Sequence, residues 1–82
     1  MSIRVLFFAK IREQLGQAQI TVSDDFATVE ALRLHLMAQG EPWASALDSH
    51  HLLVGVNQVI VPLTATINSG DEVAFFPPVT GG

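Results

Sequence analysis

No cysteine occurs in the 82 residues, so neither a disulfide bond nor a thiolate-bound zinc ion can stabilise the chain. A domain of about 80 residues has a hydrophobic core that is barely large enough to stabilise the fold without such a cross-link. Hydrophobic residues make up 49% of the sequence, and they must form one core that supports the fold alone. The sequence therefore predicts a single compact domain over residues 1–78.

Charged residues are scarce, at 15% of the sequence, whereas soluble domains average about 25%. Because a small domain has a high surface-to-volume ratio, this shortage leaves apolar side chains outside, and we expect one face to bind another protein. The net charge is −4, and the part from residue 34 onward contains acids but no cation. That part either favours solubility or attracts a basic partner.

The same composition disfavours several classes of function. A pI near 5.0 with four cations argues against binding to a nucleic-acid backbone. The apolar stretch 52–63 is interrupted by Asn57 and Gln58 and is shorter than the roughly 20 residues that span a bilayer. Since no secretory signal is visible either, we expect a cytoplasmic protein with neither nucleic acid nor membrane as a partner.

Apolar and polar residues alternate in two early segments, which is the period of a β-strand exposed on one face. Segments 2–10 and 17–22 are expected to pair as a hairpin that turns around Gly16. The inner face of the first strand would carry Ile3, Val5, Phe7 and Ala9.

A helix should follow this hairpin. Thr28 suits its N-cap, and Gly40 suits its C-terminal end. A short second helix is expected over 42–47, opened by its proline. The apolar stripe of the main helix would contain Val29, Leu32 and Leu36.

The remaining strands follow the helices. Runs 52–56 and 59–61 flank Asn57-Gln58, which predicts a two-residue hairpin turn with left-handed geometry at Asn57. After turn residues, 72–76 forms a final strand. This order predicts an α+β roll in which a mixed sheet of about five strands surrounds one main helix and a short one.

Three large apolar residues, Leu6, Phe8 and Phe76, fall where alternation predicts solvent, and a fourth, Ile60, lies on the short strand after the Asn57-Gln58 turn. On neighbouring strands of such a roll they would form one exposed patch for a partner protein. The alternative is a bulge that shifts the alternation by one residue and buries them.

No residue pattern indicates a metal site or a self-sufficient active site. His50 and His51 near Asp48 have no zinc-ligand spacing and suit a solvated loop. His35 suits the rim of a helix, since no carboxylate or nucleophile can be placed beside it. Gly55 within a strand marks a close packing contact or a bulge.

The chain finishes with Gly81 and Gly82, preceded by Pro77-Pro78. Prolines end the sheet, and residues 79–82 are expected to form a mobile arm. Because glycine lacks Cβ, such an arm can pass a narrow channel and present its carboxylate to another protein's active site. A cloning remnant would also explain the two glycines.

Several segments closely resemble one family over nearly the whole chain. They are 3–13, 28–33, 56–58 and the ending Gly-Asp-Glu-Val-Ala-Phe-Phe-Pro-Pro-Val-Thr-Gly-Gly at 70–82. The family is that of the small, sulfur-carrier subunits of molybdopterin synthase, which have a ubiquitin-like β-grasp fold. A bare Gly-Gly ending would also suit the thiazole sulfur carrier, a ubiquitin-like modifier or a plain interaction module.

The resemblance implies a chemical role for the ending. An E1-like adenylating enzyme would use ATP to adenylate Gly82, and a sulfurtransferase would convert the transient acyl-adenylate into a thiocarboxylate. The thiocarboxylate would donate sulfur to cyclic pyranopterin monophosphate, forming the dithiolene of the molybdenum cofactor, with Gly81 allowing access to the partner's active site. No cofactor would be bound permanently, and the isolated chain would not be an enzyme.

The resemblance also implies partners. The chain would assemble as two small and two large subunits of molybdopterin synthase, and the same face would contact the activating enzyme. Interface residues carried over from the family are Phe8, Ile60 and Phe76, with Leu6 in the same patch and Arg12 as an ion pair at the rim.

Overall fold

The computed structural model describes residues 2–48 and 52–78, and it folds them into a five-stranded sheet and three helices. The elements are β1 (Ser2–Phe7), α1 (Ala9–Leu15), β2 (Gln19–Ser23), α2 (Val29–Met37), α3 (Trp43–Leu47), β3 (Leu53–Val56), β4 (Val59–Val61) and β5 (Glu72–Phe76). The predicted α+β roll with a mixed sheet is confirmed.

The strands lie in the order β2-β1-β5-β3-β4. β5 runs parallel to β1, and the other neighbours are antiparallel. The carboxyl ends of β1 and β5 therefore lie side by side. This arrangement places the end of β5 beside Phe8, which directly follows β1.

The inner face of the sheet is covered by the helices. Phe7 and Phe75 stack at the centre with ring centroids 6.3 Å apart, and Trp43 from α3 meets Phe7 edge-on at 5.7 Å. The largest fully buried side chains alternate along the strands and recur along α2, as the apolar pattern predicts. They are Ile3, Val5, Phe7, Val29, Leu32, Leu36, Leu47, Val54, Val73 and Phe75.

The predicted strand over 2–10 is too long, and the prediction that only a turn around Gly16 joins it to the next strand is wrong. β1 ends at Phe7, and Ala9 adopts a left-handed φ of 51°, which turns the chain into α1. Ala9 is consequently exposed rather than on the inner face. β1 and β2 do pair antiparallel, but α1 connects them, and Gly16 ends that helix with φ 73°.

The two later helices form where the sequence predicts them. The Thr28 hydroxyl oxygen accepts a 3.1 Å hydrogen bond from the Ala31 amide and caps α2. α2 ends at Met37, three residues before Gly40, whose φ is 93°. Arg33, buried within the core, ties α2 to α3 because its Nε donates to the Leu47 carbonyl at 2.7 Å.

The β3–β4 hairpin has the predicted two-residue turn. Asn57 and Gln58 both have positive φ, 50° and 70°, so the left-handed geometry extends over both residues. The Asn57 side chain also holds the turn against the start of β5. Its Nδ2 donates to Asp71 at 3.0 Å, and its Oδ1 accepts from the Glu72 amide at 3.0 Å.

Candidate functional site

The outer face of the sheet carries a depression that no helix covers. Register places four residues in one row across four strands, in the order Leu6, Ala74, Gly55 and Ile60. The small residues lie in the middle of the row and the large ones at its ends. The result is a depression with a floor of Gly55 and Ala74 and a volume of about 490 Å³.

We call this depression the outer-face groove. Its lining residues come from four strands and the residues that directly flank them. They are Leu6, Phe8, Gly55, Gln58, Ile60, Glu72, Ala74 and Phe76.

One end of the outer-face groove is aromatic. The Phe8 and Phe76 rings stack with centroids 4.7 Å apart and an interplanar angle of 9°. Phe8 is 40% exposed although it is a large apolar residue, and Ile60 across the groove is 63% exposed. So much exposed apolar surface in one place is typical of a protein-binding site.

The opposite end of the groove is polar. Glu72 forms an ion pair with Arg4 on the neighbouring strand. Asp71 precedes Glu72 and accepts hydrogen bonds from the Asn57 side chain and from the Asn68 amide. The groove thus runs from an aromatic pair to a fixed cluster of acids and amides.

The structure brings together all four residues of the predicted apolar patch. Leu6, Phe8, Ile60 and Phe76 line one groove, and no bulge moves them into the core. Arg12 is exposed on α1, where it lines a separate surface pocket with Gly16. Arg12 therefore does not line the groove, and its role as a rim ion pair stays a prediction.

Gly81 and Gly82 lie outside the described residues, as does the whole predicted arm 79–82. Pro77 and Pro78, the last two residues described, lie beside α1 and α3. They directly follow Phe76, so the chain leaves the sheet from the aromatic end of the groove.

His35, the one histidine among the described residues, does not line the groove. His35 is exposed on α2, with its ring 4.9 Å from that of Phe26. His50 and His51 lie outside the described residues. Across residues 2–48 and 52–78, no group of three or more potential metal ligands comes together.

No helix in the described part of the chain has the length and apolar character needed to cross a bilayer.

The floor of the groove was not predicted from the sequence. The sequence predicts a close packing contact or a bulge at Gly55; β3 pairs in continuous register with both neighbours, which excludes the bulge, and a Cβ built on Gly55 would lie 3.6 Å from the Val59 carbonyl oxygen. That Gly55 meets Ala74 beneath Phe76 and Ile60 depends on strand register, which spacing along the chain does not reveal.

Comparison with known proteins gives close relatives along the whole chain. The chain is 54% identical over 80 residues to the molybdopterin synthase sulfur carrier subunit of Haemophilus influenzae, covering 98% of this chain and 99% of the relative. The protein of the same name from Escherichia coli K12 is 55% identical over 80 residues, with the same coverage.

Solved structures share the fold. SAMP1 from Haloferax volcanii matches with a TM-score of 0.74 at 31% identity, covering 100% of both chains. A chain from the complex of subunits 1 and 2 of the molybdopterin-converting factor of Helicobacter pylori matches with a TM-score of 0.69 at 23% identity, again over 100% of both chains. These neighbours agree with the β-grasp fold that the resemblance implied.

A family model, that of the ThiS family, matches residues 5–82. The match includes every residue that lines the outer-face groove, and the close relatives extend it over nearly the full chain. The chain belongs to the ThiS family.

Proposed function

We propose that this chain is the sulfur-carrier subunit of a molybdopterin synthase. The observation that carries the proposal is the sequence identity of 54% and 55% to two proteins of that name, over 98% of this chain. An exposed apolar groove beside the chain's exit from the sheet agrees with a subunit that works while bound to others.

The proposed reactive group is the Gly82 carboxylate. A carboxylate is a poor electrophile, so an E1-like adenylating enzyme first joins it to AMP from ATP and releases pyrophosphate. The persulfide of a sulfurtransferase then displaces AMP, and a thiol reduces the resulting acyl disulfide to release the thiocarboxylate. That thiocarboxylate is the nucleophile that donates sulfur to cyclic pyranopterin monophosphate, and two such transfers build the dithiolene.

The outer-face groove is the proposed docking surface for the large subunit and for the adenylating enzyme. Phe8 and Ile60 supply exposed apolar area, and the half-buried Phe76 ring stacks on Phe8. The part of the chain from residue 34 onward contributes acids but no cation, so basic groups for the pterin phosphate come from the large subunit. Assembly as two small and two large subunits and a cytoplasmic location belong to the same proposal.

Intact mass tests the carrier chemistry. The chain is co-expressed with an adenylating enzyme and a sulfurtransferase, and a gain of about 16 Da is expected because sulfur replaces one carboxylate oxygen. Deletion of Gly82 should abolish the gain, whereas Thr80→Ser, which keeps Gly81 and Gly82, should retain it. The deletion should shift the melting temperature by less than about 2 °C, since the described core lies within residues 3–75.

Reconstitution separates the molybdopterin role from other carrier roles. The thiocarboxylated chain is mixed with the large subunit and cyclic pyranopterin monophosphate, and dithiolene formation is expected. A mass gain without dithiolene would support a carrier for another pathway. Attachment of Gly82 to lysines of other proteins would instead support a protein modifier, an alternative favoured by the likeness to SAMP1, a small archaeal modifier protein.

A further inference from the structure

We propose that the surface around the chain's exit from the sheet is a second contact surface for the large subunit, on which Lys10 pairs with a carboxylate of that subunit. This inference rests on the proposed function, because it requires that residues 79–82 enter the large subunit to deliver sulfur. It adds a charged contact on the helix side of the sheet to the apolar contact on the outer face.

A pocket of about 220 Å³ lies where the chain leaves the sheet, and we call it the exit pocket. It is lined by Pro77 and Pro78, by Lys10 and Gln14 of α1, and by Ser45 of α3, among other residues. Of the described residues, none lines both the exit pocket and the outer-face groove. The two surfaces therefore lie on different sides of the chain where β5 ends.

The start of α1 is held beside the end of β5. The Phe8 amide donates a 3.2 Å hydrogen bond to the Phe75 carbonyl, and the chain turns into α1 at Ala9. Lys10 is the next residue, and its side chain is exposed. The pairing of β1 with β5 thus places this lysine beside Pro77, at the point from which residues 79–82 continue.

The positive charge of Lys10 has no counter-ion in the part of the chain that the structure describes. The other cations Arg4 and Arg33 pair with Glu72 and Glu30, respectively. Within residues 2–48 and 52–78, Lys10 forms no ion pair, and no acid lines the exit pocket. Because opposite charges across an interface favour and orient binding, a carboxylate of the partner is the group that matches Lys10.

The number of residues after Pro78 determines how near the large subunit must come. Four residues follow Pro78, and a fully extended chain spans at most about 3.6 Å per residue, so Gly82 lies no more than about 14 Å beyond Pro78. To enclose Gly82 and its neighbours, the large subunit must bring the mouth of its channel close to Pro78. The exit pocket and Lys10 then face the mouth of that channel.

Carbodiimide crosslinking tests this contact in the complex of the full chain with its large subunit, because the reagent joins an amine to a carboxylate that touches it. Lys10 is the chain's one lysine, so a crosslinked peptide that contains it identifies the partner's acid by mass spectrometry. We expect an amide between Lys10 Nζ and an Asp or Glu of the large subunit. A crosslink to the chain's own Gly82 instead, or none from Lys10, would overturn the proposal.

Calorimetry measures the energetic side of the same contact. Lys10→Gln should weaken binding of the large subunit about fivefold at about 50 mM salt, and by less than about twofold at about 500 mM, where salt screens the pair. Lys10→Arg keeps the charge and should bind within about twofold of the wild type. Both variants change an exposed side chain, so their melting temperatures should stay within about 2 °C of the wild type.

Ser23→Asp is the matched control for net charge. It changes the charge by the same one unit as Lys10→Gln, at an exposed position of β2 beside the start of β1, and should bind within about twofold of the wild type. Equal weakening by Ser23→Asp and Lys10→Gln, or no weakening by Lys10→Gln, would overturn the contact and leave the proposed function intact. If the wild type does not bind the large subunit, the proposed function fails and the contact fails with it.

Discussion

The side chains of Phe75 and Phe76 are neighbours in sequence yet stack in two different places: Phe75 on Phe7 within the core, and Phe76 on Phe8 at the surface. The alternation of β5 produces this division, because successive side chains point to opposite faces of the sheet. One strand therefore contributes one aromatic ring to the core and another to the outer-face groove.

The first prediction separates these two roles with the same substitution. Phe75→Ala should lower the free energy of unfolding by about 3–5 kcal/mol, since it empties a fully buried site. Phe76→Ala should lower it by only about 1–2 kcal/mol, through loss of the ring pair and partial burial. Urea unfolding measures both.

Binding should rank the two variants in the opposite order. Phe76→Ala should weaken binding of the large subunit by about 2 kcal/mol, the scale of an interface hot spot, when measured by calorimetry. Phe75→Ala, measured at a temperature where it is folded, should bind within about threefold of the wild type. Loss of folding in Phe76→Ala would show that this ring belongs to the core.

The second prediction concerns the β3–β4 turn. Asn57→Gly keeps the positive φ but removes the hydrogen bonds to Asp71 and to the Glu72 amide, at a cost of about 1–2 kcal/mol. Asn57→Ala loses the same bonds and adds about 1–2 kcal/mol for a Cβ in left-handed geometry. Thermal or urea unfolding should therefore rank wild type above Gly and Gly above Ala; equal stability of the two variants would contradict the role of φ.

The third prediction concerns the buried guanidinium of Arg33. Arg33→Met keeps the aliphatic packing but leaves the Leu47 carbonyl without its donor, and should cost about 1–3 kcal/mol. Glu30→Gln should cost less than about 1 kcal/mol, because the Glu30 side chain is 40% exposed and its ion pair is screened. Both variants should bind the large subunit normally, since α2 packs on the inner face.

Most of the architecture follows from the sequence because its patterns are local. The alternation in β1 and β5 is long enough to decide which residues face inward, and Thr28 marks the start of α2 with a specific hydrogen bond. The pattern Asn57-Gln58 between two apolar runs likewise predicts its turn, with the positive φ extending one residue further than expected.

The sequence did not predict α1, because its signals for a helix are weak. Phe8, its N-cap, makes no capping hydrogen bond through its side chain, and only Ile11 and Leu15 are buried along the helix. The apolar alternation of β1 also continues through Ala9, where backbone geometry rather than side-chain character ends the strand. The spacing of Ile11 and Leu15 before Gly16 is the signal that could have identified the helix.

The sequence predicted the large apolar residues at the edge of the groove but not the small residues of its floor. Leu6, Phe8 and Phe76 stand out because they break the polar pattern of their strands. Gly55 and Ala74 break no pattern, and they form a floor only because β5 lies between β1 and β3. Strand order is a property of the whole chain, so this part of the site needed the structure.

The position of β5 also affects when the sheet can be completed during folding. β5 is the last strand along the described chain, but it lies at the centre of the sheet, between β1 and β3. Until residues 72–76 are free to pair, both of those strands keep an open hydrogen-bonding edge, and the pairing of β5 with β1 joins the two ends of the described chain. A chain that lacks residues 72–76 would therefore expose the unpaired edges of β1 and β3 and would have no outer-face groove.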